Sequence, residues 1–219
     1  MYVLGLTGSI GMGKTEAGKA FARFGVPVYD ADHEVHKLFA RGGAAVVPVE
    51  KAFPGVEFGG AIDRAELGTR VFGNADALAK LEGIVHPLLT RGKQTFLKRA
   101  ARNGARVVVM DIPLLFETHG DRACDGVAVV TAPGFVQRRR VLDRPGVSEE
   151  RLRDILSRQM PDKEKRRRAD FIIPTGLDKA FSLRRIGEIV RIARTRRAFV
   201  WPHGKRPPRR LAKLPRSVV

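Results

Sequence analysis

The chain has 219 residues, 43% of them hydrophobic and 29% charged, and its 41 Lys and Arg against 23 Asp and Glu give a net charge of +18. That length supplies a sizeable core, and that composition excludes wholesale disorder. No apolar run approaches the roughly 18 residues of a membrane span, and with Cys124 the single cysteine an internal disulfide and a thiolate metal cluster are excluded.

The opening MYVLGLTGSI has no basic start and no small-residue cleavage site, so no secretory signal is expected and a cytoplasmic setting fits the lone thiol. The positive charge is uneven. Residues 191–219 hold ten Lys/Arg and no acid, residues 138–168 hold twelve against six acids, and the remainder is nearly balanced at +2. Phosphates, on a small molecule or on nucleic acid, are the expected partners of such segments.

Residues 2–6 form a short apolar run reaching Gly8, which predicts a strand buried on both faces. Residues 15–24 then place Ala17, Ala20, Phe21 and Phe24 on a helical stripe. A second strand is predicted over 26–29, with Asp30 and Asp32 at its end. Helices are predicted over 32–41, 63–72 and 75–102. Residues 53–61, broken by Pro54, Gly55, Gly59 and Gly60, are read as a turn. Strands follow at 106–110 (RVVVM), 127–131 (VAVVT) and 170–173 (DFII).

This alternation predicts an α/β fold, a five-stranded parallel sheet flanked by helices with right-handed crossovers. The 74 positions from Asp32 to Arg106 exceed one crossover, so a helical insertion is expected at about 33–100. One domain is expected over 1–200. Residues 201–219, basic and with four prolines, are read as a flexible tail whose alternative use is weak, salt-sensitive contact with nucleic acid.

The strongest motif is Gly8-Ser9-Ile10-Gly11-Met12-Gly13-Lys14-Thr15, a complete G-x-x-x-x-G-K-T phosphate loop between a strand and a helix. Glycines let the backbone wrap a phosphate, and the N–H groups at the helix start point at the anion. Lys14 is expected to reach the β- and γ-phosphates, and the Thr15 hydroxyl to ligate Mg²⁺. The loop does not separate kinase, ATPase and GTPase, but no guanine-reading N-K-x-D stretch is present, which favours ATP.

Ligands of open α/β sheets sit at the carboxyl ends of strands, where Asp30, Asp32 and Asp111 fall. Each is also a natural helix N-cap. With two carboxylates spaced i and i+2, one can cap while the other orients an acceptor hydroxyl and takes its proton. Asp111 stands in the Walker B position and would hold Mg²⁺ directly or through water. After it, Ile112-Pro113-Leu114-Leu115-Phe116-Glu117 reads either as core or as an apolar pocket with a carboxylate at its end.

Four blocks, G-L-T-G-S-I-G-M-G-K-T at 5–15, V-P-V-Y-D-A-D at 26–32, V-H-P-L-L at 85–89 and D-I-P-L-L-F-E at 111–117, together resemble the dephospho-CoA kinase family over about residues 1–195. The resemblance implies the P-loop kinase fold and transfer of the ATP γ-phosphate to the ribose 3′-hydroxyl of dephospho-CoA. It implies Asp32 as the base and puts His86 and Pro87 in an acceptor-binding insertion; Asp30 at the strand end, with Leu115 and Glu117 of the apolar stretch, are the further acceptor contacts expected from the residues themselves. On its own, a histidine before proline is equally a helix-end hydrogen bonder or a donor to an acceptor phosphate or to Asp32.

The segment Gln137-Arg138-Arg139-Arg140-Val141-Leu142-Asp143-Arg144 matches the family's mobile lid, expected over about 137–168. Arg140 and Arg144, at i and i+4, would share a helix face and clamp the triphosphate, with Arg140 acting in the transfer itself. Arg138 and Arg139 are expected to face solvent, and Ser148 to cap a following helix.

Two positions depart from the family pattern. Ile155 stands where many members carry an arginine four residues before the lid glutamine, here Gln159, with Arg153 and Arg158 as possible substitutes. Ile173-Pro174-Thr175-Gly176 replaces an I-D-N-S-G-like stretch near adenine, leaving backbone groups at Thr175 and Gly176 to meet the base. A monomer is expected. Another P-loop small-molecule or nucleotide kinase, and a nucleic-acid-stimulated ATPase, are the competing functions.

Overall fold

The computed structural model describes residues 1–202, so the expectation of a flexible tail falls, for residues 203–219, outside the described residues. The chain divides into two compact units, one of Met1–Val28 with the chain from Ala105 onward, the other of Tyr29–Gly104. No helix among the described residues is long and apolar enough to cross a membrane.

The first stretch runs β1 (Tyr2–Thr7), α1 (Lys14–Arg23) and β2 (Val28–Asp30). Then come α2 (Ala31–Phe39), α3 (Val46–Ala52), β3 (Glu57–Phe58), β4 (Ala61–Ile62), α4 (Arg64–Val71) and α5 (Ala75–Arg102). The last part holds β5 (Val107–Asp111), a 3₁₀ turn (Gly120–Ala123), β6 (Gly126–Thr131), α6 (Gly134–Leu142), α7 (Glu149–Ser157), α8 (Asp162–Arg168), β7 (Phe171–Pro174) and α9 (Lys179–Thr195).

The five main strands lie in the order β2-β5-β1-β6-β7. β1 is central, parallel to β5 with Tyr2 opposite Val107 and parallel to β6 with Leu4 opposite Gly126; β7 runs parallel to β6. Because β1 has neighbours reached by crossovers in opposite directions, its carboxyl end is the switch point where such sheets bind ligands. The strands read as continuous apolar runs because both sheet faces are covered.

Alternate residues supply each face. Leu4, Leu6, Val107, Val109, Ala128, Val130 and Ile173 pack with Ala17 and Phe21 of α1 and with Ile186, Ile189, Val190 and Ala193 of α9. The α9 positions recur at i, i+3, i+4 and i+7, the stripe that seats a helix on a sheet. On the opposite face, Gly5 admits Leu115 and Cys124 so closely that a Cβ would lie 2.7 Å from the Leu115 side chain. Buried Asp125 joins β1 to the stretch after α9: its carboxylate accepts from Val3 N at 2.8 Å and from Phe199 N and Val200 N at 2.6 and 2.9 Å.

The second strand begins at Val28, two residues later than predicted. Val26 N is spent closing the turn after α1 on Phe21 O, and Pro27 has no N–H to give to a ladder. Asp30 therefore ends β2 and caps α2, accepting from His33 N at 3.0 Å, which places Asp32 in the first turn of α2.

Unit Tyr29–Gly104 closes its own core of Phe39, Val46, Val49, Phe53, Val56, Ile62, Leu67 and Val85. Helix α5 has the predicted bounds, with Asn74 as N-cap, and α4 is capped by Asp63. The stretch 53–61 is more ordered than a turn. Gly59 and Gly60, at φ of +60° and +85°, link β3 and β4 in an antiparallel hairpin. Before it, Glu50 of α3 accepts the N–H groups of Gly55, Val56 and Glu57, and these bonds hold its carboxyl below the usual range. Helix α3, which Pro48 hides from a periodicity reading, was not predicted.

Candidate active site

The phosphate loop is built by its neighbours. Gly11 and Gly13 adopt φ of +75° and +86°, a region that side-chain-bearing residues rarely enter. At Gly8 a Cβ would meet Val130 of β6, with the Val130 carbonyl oxygen 2.9 Å away. Helix α1 starts at Lys14 with no side-chain cap, so its first N–H groups are offered to an anion.

Lys14 Nζ pairs with Asp111 Oδ1 at 2.5 Å, and Asp111 is only 3% exposed. Helix α1 makes room for that carboxylate with Gly18, whose Cβ would sit 3.3 Å from Asp111 Oδ2. Just beyond Asp111, Pro113 O accepts from Thr7 Oγ1 at 2.8 Å, so the ends of β1 and β5 are fastened together.

The segment α6–α8 rests on the loop through Ile10. Gln137 Nε2 donates to Ile10 O at 2.8 Å, and Ile10 N donates to Gln159 Oε1 at 3.1 Å. Arg140 Nη2 donates to Thr175 O at 2.7 Å, while its Nη1 reaches Thr175 Oγ1 at 3.3 Å and Gly11 O at 3.5 Å. The Thr175 hydroxyl itself donates to Met12 O at 2.6 Å. Arg140 and Thr175 thus meet the phosphate loop side by side.

Several expected positions fall elsewhere. Leu115 is fully buried against Gly5 and Gly120, so it belongs to the core and does not line an acceptor pocket; Leu114 is the exposed member of the pair. Glu117 is engaged within the protein: its Oε1 accepts from Met160 N at 2.8 Å and pairs with Lys165 Nζ at 2.9 Å. Burial raises the Glu117 carboxyl, but Lys165 and the Met160 N–H outweigh it and hold the group below its ordinary value.

Arg144 does not share a helix face with Arg140. Helix α6 stops at Leu142, and Arg144 precedes Pro145, whose ring disfavours the helical conformation in the residue before it. The Thr175 backbone groups expected to meet the base are both engaged within the protein: its N donates to Thr131 O at 2.8 Å and its O accepts from Arg140 Nη2 at 2.7 Å. Gly176 instead packs on Pro133. His86 and Pro87 are exposed in the interior of α5, so His86 is not a helix-end residue. Arg138 and Arg139 are exposed, Arg138 pairing with Glu149, and Ser148 caps α7 through Arg151 N at 3.2 Å. Of the proposed substitutes for an arginine at 155, Arg158 is tied to Asp154 at 3.1 Å.

Sequence reasoning missed Gln137, Thr131 and Lys165. Thr131 Oγ1 donates to Asp162 Oδ2 at 2.9 Å at the start of α8, and Lys165 is 0% exposed. Nothing in the run Lys163-Glu164-Lys165-Arg166-Arg167-Arg168 marks which cation turns inward.

A family model described as dephospho-CoA kinase matches residues 2–178. The dephospho-CoA kinase of Paramagnetospirillum magneticum is 58% identical over 166 residues, 76% of this chain and 78% of that protein. That of Rhodospirillum rubrum is 48% identical over 207 residues, 93% and 97% of the two chains. The crystal structure of TT1252 from Thermus thermophilus aligns with a TM-score of 0.76 and 31% identity, covering 87% of this chain and 96% of that one. A dephospho-CoA kinase from Campylobacter jejuni shares the fold at a TM-score of 0.59 and 24% identity, over 87% and 96% of the two chains. With the match running from β1 through β7, phosphate loop and D-I-P-L-L-F-E block included, this chain belongs to the dephospho-CoA kinase family.

Proposed function

We infer that the chain phosphorylates dephospho-CoA with ATP, giving coenzyme A and ADP in the last step of coenzyme A synthesis. The observation that carries this is the family match over residues 2–178, which takes in all five strands of the main sheet and the whole of unit Tyr29–Gly104. The loop geometry supports the donor half: left-handed glycines, an uncapped helix start and a lysine held at its base are what a triphosphate requires.

The residue roles follow from chemistry. Lys14 and the N–H groups at the start of α1 bind the β- and γ-phosphates, the Ile10 and Met12 N–H groups being spent on Gln159 Oε1 and Ser9 O. Arg140, beside Gly11 and Thr175, meets the charge that develops on the moving phosphoryl group. Asp32 takes the proton of the attacking 3′-hydroxyl. Its side chain has no hydrogen bond or ion pair among the described residues, and its helix turn follows directly on the carboxyl end of β2. Unit Tyr29–Gly104, with His86 and Pro87 exposed on α5, is the acceptor-binding part, and α6–α8 act as a lid over the loop.

Among the described residues no group of three His, Cys, Asp or Glu side chains is placed to hold a metal alone. That suits Mg²⁺, which takes one or two protein oxygens and completes its shell with substrate phosphates and water. Thr15 and Asp111 supply oxygens of that kind beside Lys14. When bound there, the ion would neutralise charge between the β- and γ-phosphates. For adenine, the exposed apolar side chains of Phe135 and Leu177, close in sequence to Pro133 and Gly176 where these pack together, offer an apolar surface.

The test is ATP consumption by the purified chain with Mg²⁺ and dephospho-CoA, AMP or no acceptor, with product mass checked for one added phosphate. Turnover with dephospho-CoA alone is expected. Activity with AMP would replace this reading by that of a nucleotide kinase.

A further inference from the structure

The stretch from Asp111 to Glu117 is gripped at both ends. Lys14 of the phosphate loop holds Asp111, and Lys165 of α8 holds Glu117. The same Glu117 oxygen accepts from Met160 N, and the neighbouring Gln159 accepts from Ile10 N in the phosphate loop. The contacts therefore close a ring: loop, β5 end, Glu117, α8, Gln159 and loop again. Asp162, one turn before Lys165, is fixed to Thr131 at the end of β6.

The pair at the far point of the ring is an unusual choice for stability. Lys165 is 0% exposed, and among the described residues its ammonium has no hydrogen-bond partner beyond the ion pair and the buried Glu117 Oε2 has none. Removing two charges from water is costly, and an incompletely bonded buried pair is commonly matched or exceeded in stability by apolar side chains of the same size. A charge pair does fix one geometry where apolar packing tolerates several.

We propose that Glu117 and Lys165 are positioning residues for phosphoryl transfer, holding α8 and Gln159 at a set height over the phosphate loop. This rests on the kinase reading above. With the pair intact, Gln159 and Gln137 hold Ile10 from both sides, Arg140 stands against Gly11, and water is kept from the transferring group. With the pair broken, the loop still binds ATP, but the α6–α8 segment sits loosely and water competes with the acceptor hydroxyl.

The test uses the full chain and three readouts: dephospho-CoA phosphorylation, ATP hydrolysis without acceptor, and Tm. For Lys165→Met, kcat for transfer is expected to fall roughly 10- to 100-fold, the scale on which a displacement of about 1 Å acts. The ratio of hydrolysis to transfer should rise, and KM for dephospho-CoA should stay put. Because Lys165→Met strands a buried carboxylate and so lowers Tm, the double variant Glu117→Gln/Lys165→Met is measured beside it. It leaves no unpaired charge and keeps an acceptor for Met160 N, so it should regain Tm and keep the raised ratio. A wild-type ratio in whichever variant folds, or a ratio that returns together with Tm, overturns the proposal. A wild-type chain that transfers nothing to dephospho-CoA fails at the first control, and there it is the kinase reading that falls.

Discussion

Asp32 is fixed by the backbone of α2 and by no side-chain bond among the described residues, so its charge can be removed without disturbing the fold. Asp32→Asn keeps the size and loses the base. It is expected to lower kcat by about 10²–10⁴, the usual contribution of a positioned base, while Tm and the KM for ATP stay unchanged. An Asn variant with full kcat would take Asp32 out of the proton transfer. Arg140→Ala is expected to cost about 10³ in kcat, as for other arginines that meet a transferring phosphoryl group. A variant that keeps its kcat would show Arg140 to be a strut for Thr175 and nothing more. At this scale the phosphate loop was legible because its requirements are local: glycine where φ is positive, lysine after it, a hydroxyl at the helix start. Leu115, Glu117 and Lys165 were not legible in the same way. Whether Leu114 or Leu115 turns inward depends on Gly5 of a strand more than a hundred residues earlier, and Lys165 looks like any other cation of its run until β6 and Glu117 bury it.

Among the elements, the α6–α8 segment carries the clearest pH dependence. Glu117 is lowered in the folded chain below its ordinary value of 4.5, the bonds from Lys165 and Met160 outweighing its burial. A carboxyl lowered by folding adds stability at pH above its unfolded value, and that stability is lost as pH falls through the lower folded value. The attachment of α8 is thus expected to be intact at neutral pH and to weaken below 4.5. Tm against pH for the unaltered chain and for Glu117→Gln checks this: the two curves should converge toward acid, and curves that stay parallel would refute it. Helix α9 was not predicted although its buried positions recur at helical spacing, whereas α5, long and periodic, was readable with its bounds. The end of α6 was not, because the i, i+4 spacing of Arg140 and Arg144 ignores Pro145. The β3–β4 hairpin was hidden by its brevity, since two residues a side show no alternation, although Gly59-Gly60 marked the turn.

In the whole molecule, the order β2-β5-β1-β6-β7 brings the phosphate loop, Asp111 and the strand carrying Asp30 to the carboxyl ends of one sheet. The class of fold was legible from the alternation of buried strands and helices, and the helical insertion from the length of chain between Asp32 and Arg106. Which acceptor it takes was carried by the motif blocks and by the family match, since a phosphate loop is shared by many kinases and ATPases. The most direct measurement is therefore the acceptor comparison. The purified chain with Mg²⁺ and ATP should form coenzyme A from dephospho-CoA, one phosphate heavier, and should leave AMP untouched and ATP nearly intact when no acceptor is present. ATP turnover indifferent to dephospho-CoA would contradict the assignment while leaving the phosphate loop as described.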